Sequence, residues 1–135
     1  MNYTFASWPS ERWPNFSFSE IVCRETGQCA IVESTMDRLQ EMRSEYGYPL
    51  PITSGYRHPS HSKEINKPRG PGPHALGRAF DISCAGSDAY DIVALAIRYM
   101  FTGIGVSQKG EHRYIHVDDL GYGEHTVPRP SIWSY

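Results

Sequence analysis

Two rhythms of apolar and polar positions divide this chain into elements. Across residues 30–46, Val32, Met36, Leu39, Met42 and Tyr46 recur at steps of four and three. That spacing puts them on one face of a helix. Gly47 offers a left-handed stop and Pro49 follows it. The stripe, methionines included, reads as core packing. A second helix starts near Asp88, with Asp91 as the partner of its cap. Ile92, Leu95, Ala96 and Tyr99 form its buried stripe, and Gly103 ends it. A short helix begins within residues 16–20, capped by Ser17 or Ser19.

The other rhythm is shorter. Residues 51–54, 79–83, 104–106 and 114–117 read as strands, the last two joined by a polar turn at Gln108-Lys109-Gly110. Residues 57–73 are polar and rich in Pro and Gly. Loops of that length inside a compact domain are usually lids or binding loops. The Trp8-Pro9 and Trp13-Pro14 steps favour extended backbone, so residues 1–15 read as an arm lying on the body. Residues 120–135 read as a second extended arm whose aromatics pack back. The expected architecture is a single α+β domain, a small antiparallel sheet with helices packed on one side.

Composition narrows the function classes. The chain has 135 residues, 39% hydrophobic and 21% charged, an ordinary globular balance. A chain of this length buries roughly two-thirds of its unfolded surface, enough for a core without staples. Net charge is −2 with no basic stripe, which argues against a nucleic-acid partner. The longest apolar run, near Ile92–Ile97, is too short to span a bilayer, so no membrane insertion is expected. Three cysteines, Cys23, Cys29 and Cys84, leave one over if two pair. A reducing compartment is the simpler reading, with a Cys23–Cys29 bridge left open.

Five of the six histidines, at 58, 61, 74, 112 and 116, fall between Tyr56 and Gly121. Asp81 and His116 each sit in a strand between apolar neighbours that face away from them. If those strands are adjacent, the two side chains project from one face. His74 closes over them from the loop, with Gly77 allowing the bend. Two imidazoles and a carboxylate make a three-ligand zinc site whose fourth position holds water. Zinc there brings that water's pKa towards neutrality and polarises a carbonyl.

These residues also carry a resemblance. His74, Gly77, Ala79 and Asp81 resemble the H-x-x-G-x-A-x-D signature of the zinc D-alanyl-D-alanine carboxypeptidases. That family also holds L-alanyl-D-glutamate endopeptidases of bacteriophages, and it shares a fold with Hedgehog signalling domains. Ser54-Gly55-Tyr56-Arg57 is similar to the family's S-G-Y-R segment, and His116-Val117-Asp118 to its H-x-D segment. The resemblance spans roughly residues 16–119. It implies one zinc ion on His74, Asp81 and His116, and Arg57, beside Ser54, as the anchor for a substrate carboxylate. The planar guanidinium suits bidentate binding of that group.

The implied activity is hydrolysis of peptide bonds in bacterial peptidoglycan, by a carboxypeptidase or a stem-peptide endopeptidase of endolysin type. The general base is one of two neighbours. His112 shares the strand face of His116, whereas Glu111 needs a turn at 110–112 to swing inward. We take Glu111 as the base and His112 as the group that polarises the oxyanion. Many members carry Ser two residues before the first ligand; this chain has Gly72. Asp118 either orients a ligand histidine or caps the strand end. His58 and His61 border the cleft, and His125 reads as surface. The alternative is a non-catalytic, zinc-containing binding module of the same fold.

The N-terminus has no basic segment followed by an apolar one, so no signal peptide is expected. That places the protein in a host cytoplasm or a virion, acting at the cell wall. The tail resembles those of phage-encoded members. A monomer is assumed.

Overall fold

The computed structural model describes residues 2–124 and 127–135. Three helices and five strands follow one another as α1 (Phe18–Ile21), α2 (Glu33–Tyr46), β1 (Ile52–Ser54), β2 (Ala79–Ser83), α3 (Gly86–Arg98), β3 (Gly103–Ser107), β4 (Tyr114–Asp118) and β5 (Ser131–Ser134). A 3-10 turn, Pro73–Leu76, precedes β2. The sheet order is β1-β2-β4-β3-β5. The first three pairings are antiparallel, but β5 runs parallel to β3. The sheet is therefore mixed, and the Ser131–Ser134 part of the expected C-terminal arm is its edge strand. Pro128 and Pro130 hide that strand, because prolines within a run argue against pairing. At a sheet edge the argument fails.

The α2 stripe lies as its periodicity implies, with Met36, Leu39 and Met42 fully buried. Gly47 takes the left-handed conformation, φ 80°, and closes the helix. Ser17 precedes α1, and its N–H donates to the Glu20 carboxylate at 3.0 Å, half of a capping box. The second long helix starts two residues earlier than its acidic signal suggests. Asp88 lies in its first turn, where a carboxylate suits the helix dipole. It ends at Arg98, and the left-handed residue behind it is Met100, φ 68°, rather than Gly103. Gly103 opens β3 instead.

The N-terminal arm is part of the core. Tyr3, Trp8 and Trp13 cluster with ring centroids 5.0–5.7 Å apart, and Trp13 is wholly buried. Their polar handles are satisfied: the Trp13 indole donates to Asp37 and that of Trp8 to the Phe16 carbonyl. Cys23, Cys29 and Cys84 are free thiols. Among the described residues no helix is long and apolar enough to cross a membrane.

Strand alternation gives the sheet two chemically opposite faces. Phe80, Ile82, Ile104, Ile115 and Val117 join the core shared with α2 and α3. Their neighbours Asp81, His116 and Asp118 point the other way. Register sets Asp81 opposite His116 and Ala79 opposite Asp118.

Candidate metal centre

Asp81 and His116 share a face because β2 and β4 pair residue for residue. His74 reaches them from the 3-10 turn. Gly77 ends that turn with φ 72°, and a Cβ there would lie 2.3 Å from the Ala30 carbonyl oxygen. Only glycine lets the turn pack this tightly and drop His74 onto the sheet. The three candidate ligand atoms lie within 4.8 Å of one another, and all three residues are buried.

The hydrogen bonds decide which nitrogens face the centre. His74 Nδ1–H donates to the Gly55 carbonyl at 2.7 Å, so Nε2 is its free nitrogen, 3.2 Å from Asp81 Oδ1. His116 is turned the other way round. Its Nε2 lies 2.8 Å from Asp118 Oδ2 and its Nδ1 3.1 Å from Asp81 Oδ1. Bonds of about 2.0 Å at tetrahedral angles separate ligand atoms by roughly 3.3 Å. The observed spacings match, so the donor set fits zinc. A cavity of about 380 Å³, walled by Pro73, Tyr114, Trp133 and Tyr135, opens onto the triad and leaves one side accessible.

Charge is balanced without the ion. Burial pushes the Asp81 carboxyl up, but the hydrogen bond from His116, with the second imidazole close by, outweighs it and holds the group well below the usual range. Asp118 is likewise raised by burial and pulled down further by His116 and Arg129, to about 2. Burial lowers His74, with only Asp81 working against it, and it stays neutral. Burial also opposes charge on His116, but Asp118 and Asp81 win and raise it. In the metal-free protein the two flanking carboxylates thus favour the charged form of His116 more than water does.

Arg57 lies beside the triad and is already engaged. Its Nε donates to Ser54 Oγ at 3.1 Å, one terminal nitrogen to Glu64 at 3.1 Å, and the other to Asp81 Oδ2 at 3.3 Å. Three of its five N–H donors are used, leaving two for a ligand. Glu64 was not anticipated from sequence. It is 1% exposed and also accepts Lys67 Nζ at 3.0 Å and the Gly72 N–H at 2.7 Å. A lone acid among Lys63, Lys67 and Arg69, seven residues from Arg57, was the available signal. A Cβ at 72 would lie 2.8 Å from Lys67 Nζ, the movable end of a flexible side chain, so this contact does not by itself require glycine.

Glu111 and His112 are not in β4. They occupy the turn before it, exposed, on the wall of a cavity of about 350 Å³ that also touches Arg57 and Asp81. The strand-face argument that favoured His112 therefore does not apply to either. A third cavity, about 310 Å³, lies beyond Arg57 and includes His61, which contacts Glu25 at 3.2 Å. His58 bonds Ser60. His125 lies outside the described residues. Lys63 lines all three cavities, and its ammonium has no carboxylate within 4 Å among the described residues.

Two imidazoles and a carboxylate, buried, with one open side facing a cleft, are the donor set of a catalytic rather than a structural zinc site. The sequence pattern of the Peptidase M15 family matches residues 14–118, and the chain belongs to that family. Its peptidases are zinc-dependent and act on peptidoglycan peptides. No curated protein matches the sequence.

Proposed function

We propose that this chain is a zinc peptidase that hydrolyses stem-peptide bonds of bacterial peptidoglycan, as a D-Ala-D-Ala carboxypeptidase or as an endopeptidase of endolysin type, and that it acts at the wall from a phage-infected cell or a virion. The observation that carries the reading is the His74–Asp81–His116 triad, with its free nitrogens fixed by Gly55 and Asp118 and one side open to a cleft. When bound, zinc supplies Lewis acidity to a substrate carbonyl and acidifies a water.

The chain's own residues do the rest. Glu111 takes a proton from the attacking water and returns it to the leaving amine, while His112 donates to the developing oxyanion. Arg57 keeps Asp81 in place through one terminal nitrogen and offers its two remaining N–H groups to a substrate carboxylate. Lys63, whose ammonium has no carboxylate within 4 Å among the described residues, adds a second cation on the same wall. Stem peptides carry free carboxylates, which this wall suits.

The exposed position of Glu111 and His112 favours one second reading, a binding module that keeps the metal without hydrolysis. Zinc-loaded protein incubated with soluble peptidoglycan fragments separates the two. Hydrolysis abolished by a chelator and lost in Glu111→Gln supports the peptidase with Glu111 as base. Loss in His112→Gln instead moves that role to His112. Binding of fragments without any cleavage overturns the enzyme reading in favour of the module.

A further inference from the structure

The C-terminal segment brings Arg129 and Trp133 to the wall of the cavity that opens onto the candidate metal centre. Arg129, 7% exposed, grips Asp118 with a two-point fork: Nε to Oδ1 and a terminal nitrogen to Oδ2, both 2.8 Å. Asp118 Oδ2 in turn holds His116 Nε2. Trp133 covers the pair. Its ring centroid lies 5.3 Å from that of His116, and the Arg129 guanidinium carbon sits 4.9 Å from it.

β3 is built to allow this. Gly103 pairs with Asp118 on one side and Ser131 on the other; Gly105 pairs with His116 and Trp133. Both glycines face the centre, so side chains from β4 and β5 meet across a bare strand. A Cβ at 103 would lie 2.3 Å from Asp118 Oδ1 and 2.5 Å from Arg129 Nε. A Cβ at 105 would lie 2.8 Å from the Trp133 indole nitrogen. Two glycines placed where two specific contacts need them tie the edge strand to the centre.

We propose that Arg129 is a positioning residue of the metal centre, acting through Asp118 to hold His116 with Nδ1 turned to the ion, with Trp133 as the cover that keeps this chain of contacts dry. The physical case is the fork. A carboxylate held at both oxygens cannot rotate away from His116, so the imidazole keeps one tautomer and one orientation. The inference rests on the zinc-site reading above, and the test separates the two failures.

Zinc affinity is measured by competition with a chromophoric chelator, alongside the visible spectrum of the cobalt(II) form and the melting of metal-free protein. Wild type that binds neither ion overturns the zinc-site reading and this inference with it. Given wild-type binding, Arg129→Gln weakens zinc 10- to 100-fold and alters the cobalt bands. Arg129→Lys keeps the charge but loses the fork, so it falls between. Because Arg129→Gln deprives a buried carboxylate of its guanidinium partner, Arg129→Lys decides should the former not fold. Folded variants with wild-type zinc affinity and an unchanged cobalt spectrum, whatever their melting temperature, overturn the proposal and leave Arg129 as a fold contact only.

Discussion

The two histidines of the triad are held in opposite ways. His74 leans on a backbone carbonyl, that of Gly55, and sits in a 3-10 turn whose packing depends on Gly77. His116 leans on a carboxylate, itself gripped by an arginine from the far end of the chain. The first support is neutral, and no side-chain change removes it directly. The second is charged, so it responds to pH and to substitution. One centre thus has a side fixed by backbone geometry and a side fixed by electrostatics.

The backbone side should be the more brittle. Gly77→Ala combines a positive φ with a Cβ driven against the Ala30 carbonyl and Ile31 Cα. We expect a loss of about 3 kcal/mol or more in chemical denaturation, with zinc binding falling in step with the folded fraction. A folded variant with normal zinc affinity would show that the turn has room to shift, and the contrast would weaken. Next in size is the rim. Glu111→Gln should cost 10²- to 10⁴-fold in kcat while leaving zinc affinity unchanged, since the group lies in a turn outside the triad. A comparable loss of zinc would place Glu111 among the ligands.

The electrostatic side should show itself in pH. In the metal-free protein the His116 pKa is raised above 6.5, so its imidazolium persists to a higher pH than that of a free histidine. Binding at Nδ1 needs that proton gone, so zinc binding releases it and affinity climbs as pH rises through the raised value. The sign for stability is the reverse. The imidazolium's contribution to metal-free stability is complete below pH 6.5 and lost as pH rises through the folded pKa. Calorimetry of zinc binding in buffers of different ionisation heat measures the proton directly. No released proton, and an affinity flat above pH 6.5, would mean His116 is already neutral.

A smaller effect sharpens the boundary of the site. Burial works to raise the Glu64 pKa, but the Gly72 N–H, Lys67 and Arg57 together bring it below 4.5. Its stabilising contribution is present above pH 4.5 and lost as pH falls through the lower folded value. Glu64→Gln should remove that part of the acid sensitivity in melting curves between pH 5 and 3. Identical acid profiles for variant and wild type would show that the loop does not depend on this ion pair.

Much of this was legible in the sequence. The triad was readable because strand alternation fixes sides: Phe80 and Ile82 bracket Asp81, and Ile115 and Val117 bracket His116, so only adjacency had to be assumed. The α2 stripe was readable for the same reason at helical period. Periodicity says nothing, however, about residues that meet through a turn or a chain end. Glu64 lies in a Pro- and Gly-rich loop with no period to place it. Ser131–Ser134 is too short, and too close to two prolines, to announce an edge strand. Gly103 looked like a helix stop because a glycine's local preference is visible in sequence, whereas the Asp118 and Arg129 side chains that require it are not. His112 shares a face with His116 only if the strand extends to it, and the strand begins at Tyr114.

The most direct test of the central claim is mass spectrometry of defined peptidoglycan fragments after incubation with the zinc-loaded protein, with and without a chelator. The account predicts cleavage that the chelator abolishes and added zinc restores. Loss of one alanine would mark a carboxypeptidase, and splitting of the stem an endopeptidase. Intact fragments after incubation with protein shown to hold one zinc per chain would contradict it.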